Sequence, residues 1–167
     1  MNSSSPKLIA INGLSGSGKS AVSSRLRDYH GFEHTSSGAL CRTITRTLFG
    51  HEERSALNQV SQAIRFIDQH IWIKAALRNT TGTRIVFDSV RYFEDANFLR
   101  SLGYEIWKIF CPIEICIERL RRRGQMFDMS DFTHDSEREI PDGFCSTIIG
   151  NHDCTLEELH AKIDALV

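Results

Sequence analysis

One octapeptide constrains this chain more than any other stretch: Gly13-Leu14-Ser15-Gly16-Ser17-Gly18-Lys19-Ser20. It fits G-x-x-x-x-G-K-[ST], a pattern that carries meaning only between a strand and a helix. Both flanks are present. Leu8-Ile9-Ala10-Ile11 is an apolar run that reads as a buried strand, and Ala21-Val22-Ser23-Ser24-Arg25-Leu26-Arg27 reads as a helix. Glycines at 13, 16 and 18 let the backbone turn tightly and approach a ligand. The N–H groups of such a loop form an anion nest, and the positive end of the following helix points at the same place. The expected phosphate-binding residues are Gly13, Ser15, Gly16, Ser17, Gly18, Lys19, Ser20 and Ala21. Lys19 is placed to reach the outer phosphates of a nucleotide, and the Ser20 hydroxyl suits Mg2+, a hard cation that keeps several waters.

The remaining composition narrows the class. A chain of 167 residues suits one domain with a sizeable core. Its formal net charge of -1 gives no global basic field, so no nucleic-acid polymer is expected as a partner. No apolar run approaches membrane-spanning length, and Met1 to Pro6 is polar, so neither a membrane nor a signal peptide is expected. The five cysteines (41, 111, 116, 145 and 154) are odd in number and lack a C-x-x-C pair. Reduced thiols in a cytoplasmic protein are the expectation.

Taken in order, the chain alternates strand and helix. Gly31 ends the first helix, and residues near Phe32 to Ser36 form a short second strand. Ser37-Gly38-Ala39-Leu40-Cys41-Arg42 opens a helix running to about Phe49. A serine there is first of all an N-cap, and an arginine one turn in is usually solvated. Yet the segment follows the carboxyl end of a strand, the side on which open α/β sheets bind ligands. Ser37, Gly38 and Arg42 are therefore candidate substrate contacts. Glu52 to Thr80 reads as mostly helical, with Val60, Ala63, Ile64, Ile67, Ile71 and Ala75 on one apolar face. It is long enough to pack against a second copy, which would make a homodimer. Trp72, Phe66 and Ile73 are assigned to core packing rather than to a base pocket.

Thr83 to Asp88 reads as a third strand ending in a carboxylate, the place where an acid orients Mg2+ through water. Arg91 follows three residues later, with a guanidinium suited to bidentate phosphate binding. Glu105 to Phe110 is a fourth strand. A helix from Ile113 to about Arg123 buries Ile113, Cys116, Ile117 and Leu120. It ends in Arg119, Arg121, Arg122 and Arg123, more cations than a helix C-terminus needs. They lead into a polar segment, Gln125 to Asp142, read as a cover that brings arginines to a transferring phosphoryl group. Ser146 to Ile149 is a fifth strand, Asn151 lies in a turn, and Thr155-Leu156-Glu157-Glu158 is a capping box. The helix it opens is expected to bury Leu156, Leu159, Ile163 and Leu166.

The order of these motifs resembles the nucleoside monophosphate kinase group of P-loop proteins, and within it the small deoxynucleoside monophosphate kinases of bacteriophages. The resemblance covers nearly the whole length. It implies a three-layer α/β/α fold with a five-stranded parallel sheet, a core of residues 7–36, 83–122 and 145–167, a monophosphate-binding helical region of about 37–81 and an Arg-rich lid of about 123–142. It implies transfer of the γ-phosphoryl group of MgATP to a (deoxy)nucleoside 5′-monophosphate, in the cytoplasm, or in a host's cytoplasm if the chain is phage-encoded. Ser37 to Arg42 is similar to the group's T-G-D-x-x-R segment, with Ala39 where the group has Asp. Asp88-Ser89-Val90-Arg91 is similar to D-G-x-P-R without the proline. By resemblance Arg42 and Arg91 hold the acceptor phosphate, with Asp88 beside them, while Ser20 and Asp88 serve the metal. Lys19, Arg91, Arg119, Arg122 and Arg123 are the catalytic cations, and the stretch around Asn151 lies near the donor adenine through its backbone. His134, Ser136 and Glu137 also look like a segment of the phage kinases. The alternatives are another small-molecule kinase, such as a dephospho-coenzyme A kinase or shikimate kinase, and a non-catalytic ATP-binding module. The hydroxyl-acceptor kinases carry carboxylates just after the second strand, where this chain has His34-Thr35-Ser36-Ser37.

Overall fold

The computed structural model describes residues 7–124 and 140–167. Five strands, β1 (Lys7–Asn12), β2 (Glu33–Ser36), β3 (Arg84–Val90), β4 (Glu105–Phe110) and β5 (Thr147–Gly150), form one sheet in the order β2-β3-β1-β4-β5. β1 pairs in parallel with β3 and β4, and β4 pairs in parallel with β5. The five-stranded α/β architecture expected from the sequence is the one observed. The chain divides into two compact units, Met1–His34 with Gly82–Val167, and Thr35–Thr81.

In the first unit, α1 (Lys19–His30) follows β1, α5 (Phe93–Ser101) follows β3, α6 (Ile113–Arg122) follows β4 and α7 (Leu156–Asp164) closes the chain. The β1-to-β2 and β3-to-β4 crossovers run in opposite directions along the sheet. Right-handed crossovers therefore put α1 and α5 on opposite faces. Ile9, Ile11, Val22, Leu26, Trp107, Ile109, Ile149, Leu159 and Ile163 make the core on the α1 and α7 side. Leu156 and Leu166 stay exposed, contrary to the expected four-residue face of α7. Only the positions one helical turn apart in its middle, Leu159 and Ile163, meet the sheet.

Two features of this unit depart from the alternating pattern. β3 continues past Asp88 to Val90 through an irregularity in register: Ala10 pairs with Phe87, but Asn12 pairs with Val90. Three residues on β3 thus match two on β1, which is a bulge. The Asn12 amide repairs the ladder there, its Nδ2 donating to Val90 O at 2.9 Å. On β4, Lys108 is buried in the sheet and its Nζ reaches Asp142 Oδ1 at 2.7 Å. Asp142 opens a 3-10 turn to Phe144, whose ring stands edge-on to Phe93 and under the Arg100 guanidinium. Of the segment expected as a lid, residues 125–139, with His134, Ser136 and Glu137, lie outside the described residues.

The chain leaves this unit after β2 begins and returns at Gly82. There the Gly82 N–H donates to the Glu33 carboxylate at 2.7 Å. The second unit is all helix beyond the end of β2: α2 (Ser37–Phe49), α3 (Arg54–Ile67) and α4 (Ile71–Leu77). Ser36 caps α2, its Oγ accepting from the Gly38 N–H at 3.2 Å, so Ser37 is the first helical residue. The expected continuous helix from Glu52 to Thr80 is two helices. Asp68 breaks it: one carboxylate oxygen accepts from the His70 N–H at 2.9 Å and the other from Lys74 Nζ at 2.6 Å. A side chain that bonds the backbone two residues on replaces the helical bond. The Lys74 bond also holds the Asp68 carboxyl below its ordinary pKa. Ala56 and Val60 are buried on α3, whereas Ala63 and Ile67 are exposed, so the apolar face lies one turn earlier than its periodicity predicts. Trp72 and Ile73 are buried as expected, and Phe66 is 94% exposed.

α1 and α7 are joined by Asp164, which accepts from Arg25 Nε and Nη2 at 2.9 and 2.6 Å and lies 2.7 Å from His30 Nε2. Arg25 first, then His30, holds the Asp164 carboxyl well below the usual carboxylate range. A depressed folded-state pKa gives stability that is present above the unfolded carboxyl's pKa, about 3.9, and lost as the pH falls below it. Asp164→Asn is therefore expected to lower Tm at pH 7 by roughly 1–4 °C, a solvent-screened effect. The difference from wild type should shrink as thermal unfolding is repeated from pH 4 down to pH 2.

Candidate active site

The phosphate-loop sequence occupies the turn between β1 and α1, at the carboxyl edge of the sheet. Gly13, Gly16 and Gly18 all have positive φ, at 150°, 87° and 103°. Two of the three also leave no room for a side chain against backbone. A Cβ on Gly13 would lie 2.6 Å from Ile109 O, and one on Gly16 would lie 2.6 Å from Cys116 O. The loop is thus pressed between β4 and the first turn of α6. Lys19 Nζ donates to Gly13 O at 2.7 Å and to Leu14 O at 2.9 Å, so the ammonium sits over the loop's own carbonyls.

Behind the loop, Asn151 from the turn after β5 is 6% exposed, and its Nδ2 donates to Ser17 O at 2.8 Å. Its N–H donates to Phe110 O at 2.9 Å, extending the β4–β5 ladder by one step. His152 lies edge-on to the Phe110 ring beside it. The sequence placed Asn151 near a donor base through its backbone. The structure places its side chain against the phosphate loop.

On the β3 side, Asp88 has a side chain only 13% exposed. Ser23 Oγ, one turn into α1, is 3.4 Å from Asp88 Oδ2 and 3.2 Å from Ser20 O. His34 Nε2, on β2, lies 3.6 Å from Asp88 Oδ2. Ser20 itself is exposed at the start of α1. This donor set of one hydroxyl and one carboxylate fits Mg2+ brought in with a nucleotide, because that cation keeps most of its waters and takes one or two protein ligands. No cluster of three or more His, Cys, Asp or Glu side chains exists among the described residues to hold a metal unaided.

The candidate cations are divided by the structure. Arg91 follows β3 directly and is exposed at its carboxyl end, one residue beyond the Val90 carbonyl that Asn12 holds. Arg119 turns back toward the sheet edge, its Nη1 3.5 Å from the sulfur of Cys111, the residue after β4. Arg122 instead pairs with Glu118 on the outer face of α6, with its side chain 77% exposed. Arg121 and Arg123 are exposed at the end of that helix. Lys19 from α1 and Arg119 from α6 thus direct their side chains to residues that follow β1 and β4, Gly13 and Cys111, and Arg91 directly follows β3, while Arg122 pairs on the outer face of α6. In the second unit Arg42 curls over the N-terminus of its own helix, with Nη1 3.5 Å from where a Gly38 Cβ would stand. Cys116 and Cys111 back onto the loop, and burial pushes the Cys116 thiol up to about 12, so it is held neutral.

A family model described as an AAA domain matches residues 9–142. The chain belongs to the AAA domain family. The match takes in the phosphate loop, the second unit, β3, β4 and the arginine-rich end of α6. Among solved structures, the fold is similar to a gluconokinase from Sinorhizobium meliloti, with 21% identity, TM-score 0.66, and 96% of this chain and 90% of that one covered. It is also similar to a shikimate kinase from Acinetobacter baumannii in complex with shikimate, with 15% identity, TM-score 0.63, and coverages of 98% and 93%. The Deinococcus radiodurans tunicamycin resistance protein is similar at 19% identity, TM-score 0.57, and coverages of 98% and 95%. A comparison with curated protein sequences gives no match. In this AAA domain the P-loop kinase fold carries its cations and carboxylate at one sheet edge.

Sequence reasoning missed Asn12, Ser23 and His34 as members of the site. The signal for Asn12 was available: a polar residue closes an apolar strand immediately before the first loop glycine. Gly16→Ala tests the tight seat of the loop. The positive φ and the 2.6 Å approach to Cys116 O must push the loop off the first turn of α6. Nucleotide affinity is expected to fall by roughly tenfold or more, read by titration with a fluorescent nucleotide.

Proposed function

We propose that this protein transfers the γ-phosphoryl group of MgATP to a (deoxy)nucleoside 5′-monophosphate, giving ADP and the diphosphate. The observation that carries this reading is the rooting of Arg91. It stands at the end of β3, one residue past the Val90 carbonyl that is held by Asn12, the residue preceding the phosphate loop. Two anions must approach each other in such a transfer. A cation fixed beside the phosphate loop, but outside it, suits the acceptor's phosphate. The family match, with its phosphate loop, supports ATP as the donor.

In this reading the loop and Lys19 bind the donor phosphates. Ser20 and Asp88 hold Mg2+, which supplies charge neutralisation between the phosphates when bound. Arg91 holds the acceptor phosphate, and Arg119 faces the transferring group. Arg122 and Arg123 join only by leaving their places on the outer end of α6. A monophosphate oxygen is already nucleophilic, so the chain supplies position and charge rather than a base. No covalent enzyme intermediate is needed.

A hydroxyl acceptor is the second reading, and one contact favours it. The His34–Asp88 pair, 3.6 Å apart, is a carboxylate and an imidazole able to orient a hydroxyl. The gluconokinase and shikimate kinase folds among the structural neighbours keep this reading in view.

The deciding assay is ADP release from MgATP with each common dNMP and NMP, beside gluconate, shikimate and dephospho-coenzyme A. Turnover dependent on a monophosphate is the expected result. Turnover only with a hydroxyl acceptor overturns it in favour of the second reading. Arg91→Ala is expected to lower kcat/KM at least about a hundredfold with the fold intact by circular dichroism, the lower end of what loss of a phosphate-clamping arginine costs. Near-normal kinetics in that variant would remove Arg91 from the acceptor site.

A further inference from the structure

We infer that Asn151 is a positioning residue for the nucleotide phosphates, acting through one peptide plane of the loop, and that Cys154 keys its amide. The Ser17 carbonyl and the Gly18 N–H belong to the same trans peptide, so they point in opposite directions. Asn151 Nδ2 takes the Ser17 carbonyl at 2.8 Å, on the buried side of the loop. The Gly18 N–H is thereby turned the other way, toward the face where an anion binds. A phosphate nest works only when its N–H groups point inward together, and a flipped peptide would present a carbonyl to the anion instead.

Three further contacts show that the bond is built rather than incidental. A Cβ on Gly18 would stand 2.2 Å from Asn151 Nδ2, so glycine at this step is what lets the amide reach its carbonyl. Asn151 Oδ1 lies 3.5 Å from Cys154 Sγ, close enough to accept from the thiol. The Ser17 carbonyl selects the amide end that faces it, since a flipped amide would set oxygen against oxygen, and the thiol, which also lies 3.8 Å from Gly150 O, supports the same orientation from the far end. Lys162 Nζ, on α7, donates to Gly150 O at 2.9 Å and fixes the strand end from which Asn151 projects. Asn151 touches no phosphate itself in this scheme, and it acts only by holding the loop.

A residue that sets the direction of one N–H contributes equally to bound substrate and transition state. Its loss should appear in KM for MgATP and in MgADP affinity, with kcat at saturation largely kept. A merely structural role would lower Tm and leave both constants alone. The inference rests on the loop being a nucleotide-phosphate site, and it does not depend on the acceptor.

The test is calorimetric titration of the full chain with MgADP, with Tm measured without nucleotide and KM for MgATP measured with the best acceptor. Asn151→Asp places a carboxylate against the Ser17 carbonyl and is expected to weaken MgADP at least about tenfold, with Asn151→Ala between it and wild type. Cys154→Ala is expected to weaken binding about threefold, and Cys154→Ser, which restores a donor, to recover it to within about twofold. Wild-type affinity in both Asn151 variants overturns the inference. If Asn151→Asp does not fold, Asn151→Ala decides: wild-type MgADP affinity in that variant overturns the peptide lock, and equal affinities in Cys154→Ala and Cys154→Ser overturn the keying. Wild-type protein that binds no MgADP overturns the nucleotide reading and this inference together.

Discussion

Where β1 stops determines almost everything else in this molecule. Ile9, Ala10 and Ile11 are wholly buried, so their backbone N–H and C=O groups have no water to turn to. They are satisfied because β1 lies between β3 and β4 and pairs with both. At Asn12 the pairing becomes irregular on the β3 side and a side chain takes over a ladder bond. Immediately afterwards the chain turns back, and a run of backbone N–H groups is released from sheet duty. That release at a carboxyl edge is the physical origin of an anion site in this fold.

The loop then needs its carbonyls kept out of the way. Two are covered by Lys19, at Gly13 and Leu14, and one by Asn151, at Ser17. Every carbonyl so engaged is a dipole not opposing an incoming phosphate. Ordering the loop in this manner is charged to folding, and less remains to be ordered on binding. The same economy explains why the loop is wedged against backbone at Ile109 and Cys116 rather than against adaptable side chains. Backbone does not yield as a rotamer does.

The loop, the five strands and the capping box of the last helix were legible because each is written in adjacent residues. Apolar runs of strand length, glycines that need positive φ, and Thr155 with Glu158 three residues on all act locally. What escaped was either side-chain competition or long-range pairing. Asp68 ends a helix that periodicity carries straight through, because its carboxylate outbids one backbone bond. The bulge before Val90 depends on an asparagine 78 positions away. Asn151 meets Ser17 across 134 positions, and no local pattern announces that contact. Among the four arginines at the end of α6, Arg119 meets the Cys111 sulfur at the sheet edge, a contact that helical geometry alone does not name.

The clasp between Glu33 and the Gly82 N–H has a bearing on how such a chain diversifies. Departure and return points held together by a hydrogen bond make the helical stretch between them an insertion at a closed gate. Beyond the end of β2, the sheet is complete without what that insertion contains. Lengthening such an excursion costs little entropy, since closure grows only with the logarithm of its length. A lineage can therefore rewrite the inserted helices while the phosphate loop is inherited untouched.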